Sequence, residues 1–114
     1  MDARVKTAIN MLHQSLTKQL SMCALSKSVN LSSTRLRELF KRDTGRSPLL
    51  YLRELRMQQA ERLLGSTFLS VKEVAFLSGL RDVSHFARDF KKRHSVTPSE
   101  FRDRIQRLPQ GSLR

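Results

Sequence analysis

The chain has 114 residues, 22 Lys+Arg against 10 Asp+Glu, and a formal net charge of +12. That length suits one compact domain or two very small ones and is too short for a catalytic α/β scaffold with a second domain. The basic excess implies a polyanionic partner, nucleic acid before an anionic membrane surface, while the single Cys23 and the lack of a long apolar run exclude an internal disulfide and a membrane span.

Helical periodicity runs through the whole chain. Val5, Ile9, Leu12 and Leu16 recur at i, i+4, i+7 and i+11, which predicts a first helix with these residues on one face. Ser21 caps a short helix to about Val29, with Leu25 and Val29 inward and Asn30 as its left-handed end. Ser32 or Ser33 opens the next helix, where Leu36, Leu39 and Phe40 form the apolar stripe and Thr44-Gly45 the stop. Ser47-Pro48 begins a long helix marked by Leu49, Leu52, Ala60, Leu63 and Leu64, ending near Gly65. Its roughly 17 residues span about 25 Å.

Ser70-Val71-Lys72-Glu73 is a capping box, and the helix it opens ends at Gly79. Asp82 caps the next helix, with Phe86 and Phe90 buried, and Thr97-Pro98-Ser99-Glu100 caps a final helix to about Arg107. The tail from Pro109 to Arg114 has no packing signal and is expected to fray. No strand signal emerges, so the fold class is all-α.

The second half repeats the first. Ser21, Leu25, Asn30 and Leu31 match Ser70, Val74, Gly79 and Leu80 at an offset of 49. Leu36, Phe40, Lys41, Ser47-Pro48 and Tyr51 match Phe86, Phe90, Lys91, Thr97-Pro98 and Phe101 at an offset of 50. Each copy reads as a short helix, a tight turn and a longer basic helix, the outline of a helix-turn-helix. Such a motif reads DNA because its second helix enters the major groove while the first braces on the backbone.

The second helices offer the polar residues this needs: Ser33, Thr34, Arg35, Arg37, Glu38, Lys41 and Arg42 in one copy. The other copy offers Asp82, Val83, Ser84, His85, Ala87, Arg88, Lys91, Lys92 and Arg93. Lys91-Lys92-Arg93, with Lys41 and Arg42 in the first copy, are the phosphate-contact candidates. Two readers on one chain imply an asymmetric double-stranded site bound by a monomer. The long helix is compatible with readers about 34 Å apart in successive major grooves.

The run Ser32 to Pro48 with Tyr51-Leu52-Arg53 resembles the first half of an AraC/XylS-type DNA-binding domain. Val74-Ala75, Ser78-Gly79-Leu80, Ser84-His85-Phe86, Phe90-Lys91-Lys92 and Val96 to Arg102 resemble its second half. The resemblance covers roughly Ala3 to Gln106 and implies a seven-helix fold with two helix-turn-helix subdomains. It also implies transcription regulation, most often activation through contact with RNA polymerase. The expected division is a first subdomain over 3–47, a linker helix over 48–65, a second subdomain over 66–107 and a disordered tail over 108–114. A stand-alone regulator or an excised C-terminal domain would both fit, at the bacterial nucleoid in the cytoplasm, with no small-molecule effector site in this chain.

The family's base-contact positions fall on Thr34, Arg35, Arg37 and Glu38, and on Val83, Ser84, His85, Ala87 and Arg88. Glu38 stands where members often carry arginine, and an acid there accepts from a cytosine amino group. Leu80 replaces a usual phenylalanine, a packing change.

Phe40, Phe86, Phe90, Tyr51 and Phe101 recur at helical spacing among aliphatic residues, and the expectation for them is core. His13, His85, His94 and Cys23 share no metal-ligand spacing, so neither metal nor cofactor is expected. Arg53, Arg56 and Arg62 are expected at the surface or paired with Glu54 or Glu61. No Gly-rich phosphate loop, nucleophile–base pair or acidic metal cluster supports an enzyme. The alternative to a sequence-specific regulator is a basic nucleic-acid-binding module without specificity.

Overall fold

The computed structural model describes residues 1–107, and the expected tail lies outside them. Among the described residues there are seven helices: α1 (Ala3–His13), α2 (Met22–Ser28), α3 (Ser33–Thr44), α4 (Pro48–Ser66), α5 (Val71–Leu77), α6 (Val83–His94) and α7 (Pro98–Arg107). They form two compact units, Met1–Arg56 and Met57–Arg114, whose boundary falls inside α4.

In the first unit, Val5, Ala8 and Leu12 of α1 bury against Leu25, Val29, Leu36, Leu39, Phe40 and Leu52. The buried stripe of α1 therefore differs from the expected one. Ala8 takes the central place, Ile9 is half-buried beside it, and Leu16 lies beyond the helix end. The segment after α1 is held by Arg56, whose Nε and Nη2 donate to the carbonyls of Leu16 at 2.9 Å and Lys18 at 2.8 Å. Arg56 thus reaches two backbone acceptors about 40 residues away in the chain, which no local pattern indicates.

Side-chain caps decide where the short helices begin. Ser21 Oγ accepts from the Ala24 amide at 3.0 Å, and Ser32, not Ser33, caps α3 by accepting from Arg35 at 3.1 Å. Ser26, standing where the second copy has Ala75, is buried, and its hydroxyl donates to the Cys23 carbonyl at 3.0 Å. Asn30 adopts φ +56°, which lets the Leu31 amide reach back to the Ser26 carbonyl at 3.0 Å. Gly79, at φ +76°, closes the second turn in the same way through Leu80 and Ala75 at 2.8 Å.

The second unit buries Met57, Ala60 and Leu64 of α4 with Val74, Ala75, Leu80, Phe86 and Phe90. Both capping boxes form. Ser70 and Glu73 exchange bonds of 2.9 and 3.1 Å, as do Thr97 and Glu100. These bonds hold both glutamates below the ordinary carboxylate range, the amide of the cap residue contributing most.

The end of α4 falls at Ser66, one residue past the expected Gly65. Gly65 stays helical, and the helix runs 19 residues to Ser66. A Cβ at Gly65 would lie 3.2 Å from Ile105 Cγ2, so glycine here admits α7 instead of stopping α4. From α7, Arg102 Nε donates to the Leu64 carbonyl at 3.2 Å and Gln106 Nε2 to the Thr67 carbonyl at 2.9 Å. These side chains satisfy acceptors that a helix end leaves open. Of the apolar marks on α4, Leu52, Ala60 and Leu64 are buried and Leu63 is half-buried, whereas Leu49 is exposed.

Candidate nucleic-acid interface

α3 and α6 each turn aromatic and aliphatic residues inward and a basic face outward. In α3, Leu36, Leu39 and Phe40 are buried, while Thr34, Arg35, Arg37, Glu38, Lys41 and Arg42 are exposed. In α6, Phe86 and Phe90 are buried, and Ser84, His85, Arg88, Lys91, Lys92 and Arg93 are exposed. Val83 and Ala87 are half-buried, Val83 lying against the second core, so they present less surface than the other candidates. His85, Arg88, Lys91 and Lys92 line one open concavity on α6 together with Asp89.

The aromatic residues assigned to the core pack there. Phe40 meets Tyr51 edge-on with centroids 5.3 Å apart, and Phe90 meets Phe101 likewise at 5.1 Å. They hold α3 and α6 each against the helix that follows it, leaving the outer face of each exposed.

Acidic residues thread this basic surface more closely than the candidate residues alone suggest. Arg35 Nη1 lies 3.9 Å from Glu38 Oε2, and His85 Nε2 lies 3.7 Å from Asp89 Oδ2 one turn on. Spacings of three and four residues give both pairs away in the sequence. Asp43 accepts from the Asp2 amide at 2.9 Å and from Arg42 Nε at 3.0 Å. Those two donors, the Asp2 amide first, lower the Asp43 carboxyl from its ordinary value. Arg93 Nε donates to Glu61 Oε2 at 2.8 Å, a contact across 32 residues that no local pattern reveals.

Among the described residues, no group of three or more His, Cys, Asp and Glu side chains is placed to hold a metal ion. No helix of the described residues is long and apolar enough to cross a membrane.

Two units, each exposing a basic helix after a left-handed turn, have the outline of a DNA-binding domain of helix-turn-helix type. The family described as "Helix-turn-helix domain" matches residues 25–104. A transcriptional regulator with an AraC-type DNA-binding domain from Chromobacterium violaceum is 26% identical, with a TM-score of 0.83 over 92% of this chain and 94% of that one. The C-terminal domain of the response regulator yesN from Fusobacterium nucleatum is 35% identical, with a TM-score of 0.78 over 85% and 95% of the two chains. The DNA-binding domain of AdpA, solved with a target DNA, is 25% identical, with a TM-score of 0.84 over 95% and 99%.

Among curated relatives, the arabinose operon regulatory protein of Salmonella typhimurium is 34% identical over 90% of this chain and 37% of its own length. The lactose operon transcription activator of Staphylococcus xylosus is 30% identical over 86% and 35%. This chain thus spans little more than a third of these relatives. The chain belongs to the AraC-type helix-turn-helix family of DNA-binding transcription regulators.

Proposed function

We propose that this chain binds one asymmetric duplex site as a monomer, with α3 and α6 in successive major grooves, and that it activates transcription through contact with RNA polymerase. The observation that carries this reading is the presence, twice in one chain, of a recognition helix with a buried apolar stripe and an exposed basic face. The similarity to a transcription activator supports the direction of regulation.

In this reading Thr34, Arg35, Arg37 and Glu38 face base edges in one groove, and Ser84, His85 and Arg88 in the next. Half-buried Val83 and Ala87 offer apolar contact to thymine methyl groups. Lys41, Arg42, Lys91 and Lys92 neutralise phosphates, joined by Arg93 to the extent that Glu61 releases it.

Arg88 is the most informative residue. It is exposed between buried Phe86 and Phe90, and its guanidinium suits a bidentate contact to guanine O6 and N7. The test selects a target from a randomised duplex pool, then compares wild type with Arg88→Ala on every single-base variant. The expected outcome is a loss of about 1–3 kcal/mol of discrimination at one position, in one half of the site. Uniform weakening would reduce Arg88 to a phosphate contact. Sedimentation of the complex should give one chain per minimal site; two chains would end the monomer reading.

A further inference from the structure

We propose that Glu61 of α4 is a positioning residue for the second recognition helix, setting its rotation through Arg93 and His94. The inference rests on the reading of α6 as the helix that enters DNA.

A single carboxylate oxygen, Glu61 Oε2, receives both Arg93 Nε at 2.8 Å and His94 Nε2 at 2.6 Å. An ionised carboxylate only accepts, so the His94 Nε2 carries the proton in this bond. Consecutive residues on a helix point about 100° apart. One acceptor holding both therefore opposes rotation of α6 about its axis, which a contact to one side chain would permit. The His94 ring is further confined, its centroid 4.3 Å from that of Phe90 and 4.9 Å from that of Phe101. Glu61 itself has little freedom, because its neighbour Ala60 is fully buried and its own side chain is only 22% exposed. At that exposure the pair is less screened by salt than a surface ion pair.

The other end of α6 is fixed separately, by Asp82 accepting from the His85 amide at 3.0 Å. Asp82 fixes the start of α6 and Phe86 and Phe90 anchor its inner face, so the rotation of the whole helix is set jointly with Glu61 at its far end. Arg88 lies about 1.4 turns before Arg93 on the same helix, so a rotation of α6 moves the Arg88 guanidinium relative to a base edge. Base contacts depend on placement to within about 0.5 Å. In the first unit the position equivalent to Glu61 is Ile9, from the matching of Ala8 with Ala60 and Leu12 with Leu64 at an offset of 52. The device belongs to the second unit alone.

The test uses the full chain and the duplex that wild type selects from a randomised pool, with Glu61→Ala and Glu61→Gln compared on single-base variants. Glu61→Ala is expected to lower discrimination about tenfold at positions read by α6 and to leave those read by α3 unchanged. Glu61→Gln, whose amide oxygen still accepts, should retain most of it, with thermal unfolding confirming that both variants fold. Should Glu61→Ala fail to fold, His94→Phe keeps the ring against Phe90 and Phe101, removes the donor, and should loosen the same positions. Unchanged preferences, an equal loss in both halves, or a gain in affinity with a steeper salt dependence and no loss of discrimination at the positions read by α6 would each overturn the proposal. That last result would make Glu61 a guard on the charge of Arg93. Failure of the underlying reading has its own mark: Arg88→Ala would leave every preference intact, and the role of Glu61 falls with it.

Discussion

Phe40 and Tyr51 meet edge-on, centroids 5.3 Å apart and planes at 85°, and Phe90 and Phe101 repeat the contact at 5.1 Å and 81°. Each pair ties a recognition helix to the start of the next helix, within one unit. Edge-to-face pairs contribute about 0.5–1.5 kcal/mol beyond the area they bury. Tyr51→Leu and Phe101→Leu should therefore each destabilise by about 1–2 kcal/mol. Hydrogen exchange should locate the effect, with faster opening of α3 amides in the first variant and of α6 amides in the second. Equal acceleration of both helices would show that the contact does not act locally.

Ser95 ends α6 at φ +64°, whereas its repeat partner Gly45 ends α3 at φ +81°. A serine bears the left-handed cost that glycine avoids. Replacing Ser95→Gly should stabilise by about 0.5–1 kcal/mol, after allowance for the looser unfolded chain. Gly45→Ala should destabilise, and for backbone reasons only, since a Cβ there meets nothing within 4 Å. Urea unfolding of both variants checks the pair of signs.

Acid should weaken the second unit through its capping boxes. Glu73 and Glu100 are held below the ordinary glutamate range by the amides of Ser70 and Thr97. A carboxylate whose folded pKa is depressed contributes stability that is present above its unfolded value, about 4.3, and lost as pH falls through the folded one. Wild type should lose stability on acidification below about pH 5. The double variant Glu73→Gln, Glu100→Gln should lose less, so that the two curves converge at low pH. Denaturant midpoints measured across pH 3–7 or thereabouts decide this, and parallel curves would contradict it.

Lys91 and Lys92 are exposed toward the end of α6 and line the same concavity as His85 and Arg88. Alanine at either should weaken all duplex sequences alike and flatten the dependence of log affinity on log salt by about 0.9. Arg93→Ala should flatten it less, because the guanidinium already engages Glu61. A change in base preference without a change in salt slope would remove either lysine from the phosphate set.

Local chemistry makes most of the fold legible in the sequence itself. Ser21, Ser70, Asp82 and Thr97 cap within three residues of themselves, and Asn30 and Gly79 act through their own φ, so neighbours in the chain suffice to place them. The exposed faces of α3 and α6 follow in the same way, from the spacing of buried Leu36, Phe40, Phe86 and Phe90. The half-burial of Val83 is different, because it depends on how the second core packs around it.

Only tertiary packing decides the rest. The stripe Val5, Ala8 and Leu12 is matched by Met57, Ala60 and Leu64 at an offset of 52, extending the repeat to α1 and the second part of α4. Ala8 adds too little hydropathy to stand out beside Ile9, and becomes core because α2 and α3 pack over α1. Gly65 reads as a helix stop in isolation but stays helical, since Ile105 needs the space a Cβ would fill and α7 satisfies the carbonyls beyond. Arg93 and His94 lie 32 and 33 residues from Glu61, with no periodicity linking them to it. Caps and turns are fixed by energies between near neighbours in the chain; helix ends, small core residues and bridging carboxylates depend on which surfaces the folded chain brings within hydrogen-bond reach.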